Sequence, residues 1–207
     1  MSGYLIETIS KDQDKYLNNI TKGNELWLCE NNLKDVLIEL FPNQEIIHDK
    51  QIILKEKKFR PDYKIPSKKL LIEFNSYHHF TDVKTIYNDS VKKNLIENSK
   101  WLLIEIPYFI QLTYNVIDFL FSKFVEVENI KDFSNGFPHG FINPKACIPG
   151  NFCFMGLQRL KKIFSEFPKE VENQCFKSLK IRSKIDDIDE CIYNPLTRKN
   201  ENKEILL

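Results

Sequence analysis

The sequence predicts an α/β protein: a mixed β-sheet core flanked by helices, with a small, mainly helical C-terminal region. Three observations predict it. Between residues 24 and 126, helix-period and strand-like segments alternate in the order helix, three strands, helix, strand, helix. A stretch rich in Gly, Pro and Asn, SNGFPHGFINPKACIPGN, then interrupts the pattern. Two amphipathic segments separated by Pro168 follow it. The chain thus divides into a lead-in (1–23), a core (24–126) and a linker with a C-terminal helical region (127–207).

The core elements follow in order. From Asn24 the residues Leu26, Leu33, Leu37, Leu40 and Phe41 recur at helical steps, and Pro42 ends the helix. EIIHDKQIIL reads as one strand, KFRPDYKI as a second and KKLLIEF as a third, with PSK turning between the last two. Val83, Ile86, Tyr87, Val91, Leu95 and Ile96 mark a helix over residues 83–98. WLLIEI suits a buried strand ended by Pro107, and YFIQLTYNVIDFLFSKF reads as the next helix. FCFMGLQRLKKIFSEF and KEVENQCFKSLKIR are the two C-terminal helices, and a polar tail begins near Asn194.

The composition narrows the classes. Of 207 residues, 42% are hydrophobic and 29% charged, which is globular rather than disordered. No apolar run has the length of a membrane helix, and MSGYLIETISKDQDK lacks the apolar core of a signal peptide. The expectation is an intracellular protein, cytoplasmic or nucleoid-associated, with no membrane partner. Five cysteines at irregular spacing point to reduced thiols. Cys147, Cys153, Cys175 and Cys191 with His139 lack the close pairs of structural zinc sites.

The stretch FRPDYKIPSKKLLIEFNSYHHF carries the chemistry. Asp62 ends one strand and Glu73 the next, so a short turn between them brings both carboxylates to one end of the sheet. Two acids there can hold a hard cation such as Mg²⁺ through oxygen. Glu73 has mostly apolar neighbours, and an ionised carboxylate in that setting needs a cation or hydrogen bonds. Glu30 shares a helix face with Leu26, Leu33 and Leu37; it either borders the same site or lies at the margin of the stripe. Lys55, Lys57, Lys58, Arg60, Lys64, Lys68 and Lys69 form a basic stripe, fit either to meet phosphates or to guard a solvated hairpin edge.

RPDYKIPSKKLLIEF, and the run on through NSYHHF, resembles the PD-(D/E)xK nuclease superfamily with its restriction-endonuclease-like fold. It is most similar to the very-short-patch-repair and phage-type homing endonuclease branch. The resemblance covers residues 24–120 and implies a metal-dependent DNA endonuclease. It implies Glu30, Asp62, Glu73, Asn75 and His79 as catalytic residues, with Asp62, Glu73 and Glu30 around Mg²⁺ (Mn²⁺ substituting). Arg60, Lys64, Lys68, Lys69 and Lys93 are the expected DNA contacts. Asp89 with Lys92 or Lys93 fits an acidic–basic pair on the next helix.

Two positions depart from the family pattern. Asn75 stands where Lys is usual, and Ser76 where Gly is common. His79, ahead of His78, is the candidate to share the work of the absent Lys. Two alternatives stand beside this reading: a nuclease-like DNA-binding module without catalysis, and a junction-resolving nuclease, which requires a homodimer.

Overall fold

The computed structural model describes residues 28, 30–110, 112, 114–126, 152–183 and 185–191. The lead-in, the expected helix start at Asn24, His139, Cys147 and the tail from Asn194 lie outside the described residues. The elements are α1 (Glu30–Leu40), β1 (Ile47–His48), β2 (Ile52–Leu54), β3 (Lys57–Phe59), β4 (Tyr63–Ile65), β5 (Leu70–Asn75), α2 (His78–Thr81), α3 (Val83–Glu97) and β6 (Leu102–Pro107). They continue with α4 (Tyr114–Phe121), α5 (Phe154–Glu166) and α6 (Lys169–Ser183). Helices and a mixed sheet make this an α/β protein. No helix among the described residues is long and apolar enough to cross a membrane.

β5 organises the rest. Its six residues, LLIEFN, are all buried, as a strand covered on both faces must be. It pairs antiparallel with β4 through a tight Pro66–Lys68 turn, and parallel with β6 after the α3 crossover. The sheet order is β1-β4-β5-β6. Alternation sends Leu70, Ile72 and Phe74 to one face, and Leu71, Glu73 and Asn75 to the other. The first set joins Leu33, Leu37 and Phe41 of α1 and its end in the larger core. On the other face Leu71 meets Ile96 of α3 and Ile52 and Leu54 of β2.

Two expected strands are each divided. EIIHDKQIIL breaks at Asp49, which takes φ 54° and gives its N–H to the carbonyl of Asp62 at 2.8 Å. Asp tolerates that left-handed conformation, so β1 stays with β4 while β2 leaves the sheet. KFRPDYKI breaks at Arg60-Pro61, where proline has no N–H for a ladder. β3 therefore pairs with β2 as a separate hairpin, and β4 stays in the main sheet. The segment after Pro107 also differs: its helix starts at Tyr114. Tyr108, Phe109 and Ile110 are three consecutive buried residues in a turn whose first N–H binds the carbonyl of Asn75 at 2.9 Å.

α5 and α6 form on either side of Pro168, as expected. Phe152, Leu160 and Phe164 pack with Phe80 and Phe109 in the larger core, edge-on or tilted. The approach is close enough to specify a glycine. A Cβ on Gly156 would lie 1.6 Å from the carbonyl oxygen of Phe80.

Candidate active site

The register fixes the first pair. Tyr63 faces Ile72, so the next residues outward, Asp62 and Glu73, are neighbours at the same sheet end. Asp62 Oδ2 accepts the backbone N–H of Phe74 at 2.6 Å, which ties its carboxylate to β5. Glu73 is only 6% exposed, and Lys92 Nζ of α3 lies 2.5 Å from its Oε1. Oε1 is buried, and the Lys92 ammonium is its ion-pair partner. Burial pushes Glu73 up to about 7 despite Lys92, and the charge of Asp62 adds to the rise. Burial likewise raises Asp62, against the Phe74 N–H; Glu30 raises it further. Two adjacent carboxylates, both raised by burial even with Lys92 beside one of them, leave the pair short of positive charge.

A second network continues along the same face. Glu73 and Glu105 are register partners on β5 and β6. Glu105 Oε1 accepts from Asn75 Nδ2 at 3.0 Å and Arg159 at 2.7 Å, and Lys93 Nζ sits 3.0 Å from Oε2. Burial would raise Glu105, but Lys93 and Arg159 hold it below the usual carboxylate range. Asp89 Oδ2 lies 2.6 Å from His79 Nδ1 and 2.5 Å from Arg159 NH1. Burial opposes the ionised form of Asp89 too, yet the bonds from His79 and Arg159 keep it low.

The candidate residues separate accordingly. Asp62, Glu73 and Asn75 share one stretch of sheet, and His79 is near enough that its charge would act on both acids. Glu30 opens α1 at the margin, 44% exposed, with Oε1 3.1 Å from His48 Nε2. Among the described residues, no group of three or more His, Cys, Asp or Glu side chains gathers to hold a metal, so Glu30 does not complete a three-acid cluster. Asn75 is 2% exposed and its amide is committed to Glu105. His78 and His79 lie on a short helix rather than in an extended segment, so alternation does not separate them. Burial does: His78 is exposed and His79 half-buried.

Of the expected DNA contacts, Arg60 is paired with Asp49 and Lys93 with Glu105, both still open to solvent. Lys64 is half-buried on β4. Lys68 and Lys69 are exposed at the turn, five and four residues before Glu73, or about 13 Å and more from it along the strand. The pair Asp89–Lys93 does not form; the acids of the sheet divide the lysines, Lys92 to Glu73 and Lys93 to Glu105. A cleft of about 640 Å³ between α3, β6, α4 and α5 reaches Asp89, Glu105 and Arg159 but not Asp62 or Glu73.

Two participants escaped the sequence reading. Glu105 carried the same signal as Glu73, an acid inside an apolar strand. Arg159 opens RLKK, a basic helix face that reads in the sequence as solvated surface or a second DNA contact, and nothing there marks it as the partner of buried acids. Compared with known proteins, the chain matches no family model, no curated protein and no solved structure.

Proposed function

We propose that this protein is a metal-dependent DNA endonuclease that hydrolyses phosphodiester bonds. We place it in the PD-(D/E)xK superfamily, near the very-short-patch-repair and phage-type homing branch, with a restriction-endonuclease-like core. One observation carries the reading: Asp62 and Glu73 adjoin at one end of β4 and β5, and a lysine from α3 reaches Glu73. The family's lysine usually comes from the strand, where this chain has Asn75. Here Lys92 offers an ammonium from the neighbouring helix.

The residues present fit a hard cation. Both acids lie side by side and are raised by burial, Glu73 even with Lys92 beside it. Asp62 and Glu73 would hold Mg²⁺, or Mn²⁺ in its place, which when bound supplies an activated water and offsets charge on the phosphate. Lys92 adds positive charge beside the same carboxylate. His79 donates Nδ1–H to the ionised Asp89, so the neutral imidazole has its lone pair on Nε2, where it can take a proton. Glu30 lies outside the pair and acts on Asp62 through its charge. Arg60, Lys64, Lys68 and Lys69 extend the basic surface toward the backbone of DNA. A homodimer would present one such centre to each strand.

One observation favours a DNA-binding module without catalysis: Glu73 is already ion-paired with Lys92, and among the described residues no three acids gather to hold a metal. Incubation with supercoiled plasmid in Mg²⁺ and in EDTA separates the readings. Nicked or linear product in Mg²⁺ alone, lost in Glu73→Gln, is the expected result. DNA binding with no product in Mg²⁺ or Mn²⁺ would select the binding module.

A further inference from the structure

We infer that Arg159, on the C-terminal helix α5, is a positioning residue that fixes the Asp89–His79 pair. His79 would then be set in place by a residue 80 positions further along the chain. Its functional consequence rests on the nuclease reading above; the geometry does not.

Arg159 is bound to His79 from several directions. NH1 donates both to the carbonyl oxygen of His79 at 3.1 Å and to Asp89 Oδ2 at 2.5 Å. The same nitrogen therefore holds the backbone of the histidine and the carboxylate that orients its ring. NH2 donates to Glu105 Oε1, which also accepts from Asn75. The guanidinium lies 5.2 Å from the ring centroid of Phe80, the next residue along. The side chain is 15% exposed, so these contacts are shielded from water.

The helix that carries Arg159 is itself keyed to α2. Cys153 N–H binds the carbonyl of Phe80 at 3.2 Å, and Gly156, three residues before Arg159, allows backbone contact at that same oxygen. Only a planar donor with several N–H groups can span His79 O, Asp89 and Glu105 together; an ammonium cannot. Asp89 is ionised and can only accept, so this clamp keeps hydrogen on His79 Nδ1, and in the neutral ring the lone pair falls on Nε2.

Long-range ¹H–¹⁵N spectra of the imidazoles in the full, metal-free chain test this directly, with His79 assigned by His79→Gln. The wild type should show one fixed tautomer, protonated at Nδ1. Arg159→Met should show tautomer averaging, and Arg159→Lys an intermediate pattern. Single-turnover cleavage should fall about 10- to 100-fold in Arg159→Met and partly recover in Arg159→Lys. DNA affinity in Ca²⁺ should stay near wild type in both. An unchanged tautomer and turnover in Arg159→Met would overturn the inference, as would weakened DNA binding with turnover intact, which would make Arg159 a phosphate contact. If Arg159→Met does not fold, Arg159→Lys decides: a wild-type spectrum and rate there overturns the clamp. If the wild type cuts no DNA, the nuclease reading fails and the spectra alone decide the role of Arg159.

Discussion

Glu73 is a carboxylate inside a sheet whose partner, Lys92, does not fully offset its burial. Its value in the folded chain, about 7, lies above the ordinary 4.5. Between those values the folded state binds more protons than the unfolded one. The stabilisation is therefore complete below about pH 4.5 and is lost as pH rises through about 7. Urea unfolding of metal-free protein should show the wild type losing more stability from pH 5 to pH 8 than Glu73→Gln. The difference should be up to about 3 kcal/mol; parallel pH profiles would place the group elsewhere. His79 gives the complementary prediction. His79→Ala should lower turnover about a hundredfold or more while His78→Ala stays near wild type, because only His79 is held by Asp89. Equal effects of the two variants in single-turnover assays would remove His79 from the chemistry.

At the scale of elements, the β2–β3 hairpin carries a cost that can be measured. Lys55 and Glu56 both have positive φ, 45° and 66°, at the two central positions of the turn. Such turns favour Asn-Gly, and each strained residue costs about 1–3 kcal/mol. Replacing Lys55-Glu56 with Asn-Gly should raise stability by at least about 1 kcal/mol in urea titration. The junction of α2 and α5 should respond the other way. Gly156→Ala must displace backbone at Phe80, which should cost about 1–3 kcal/mol and lower the melting temperature. A wild-type melting temperature would show that α5 does not sit against α2.

These elements also mark how far the sequence could be read. β5 was legible because an apolar run with one acid has few other interpretations. The breaks at Asp49 and Arg60-Pro61 were not, because each lies between residues that suit a strand. α3 misled in a different way. Its apolar residues gave the period, yet Val83 and Tyr87 are 52% and 63% exposed. The side turned to the sheet carries Asp89, Lys92, Lys93 and Ile96, since the face it covers holds Glu73 and Glu105. Charge on a helix reads as solvent exposure unless the acids opposite are known. Arg159 was hidden by the same rule.

In the whole molecule the two faces of one sheet are put to different uses. One face is apolar and continuous with α1 and the C-terminal helices, whose Leu160, Phe164 and Leu179 share its core. The other carries acids matched by Lys92, Lys93 and Arg159 from α3 and α5. The matching is incomplete at Asp62 and Glu73, where the proposed cation would bind. A calorimetric Mn²⁺ titration of the folded chain at pH 6.5 and pH 8, with Asp62→Asn and Glu73→Gln beside it, tests that placement most directly. The wild type should bind Mn²⁺ more tightly at pH 8, where Glu73 has given up its proton, and both variants should lose the binding. Binding that survives Glu73→Gln, or a wild type that binds no Mn²⁺ at either pH, would contradict it.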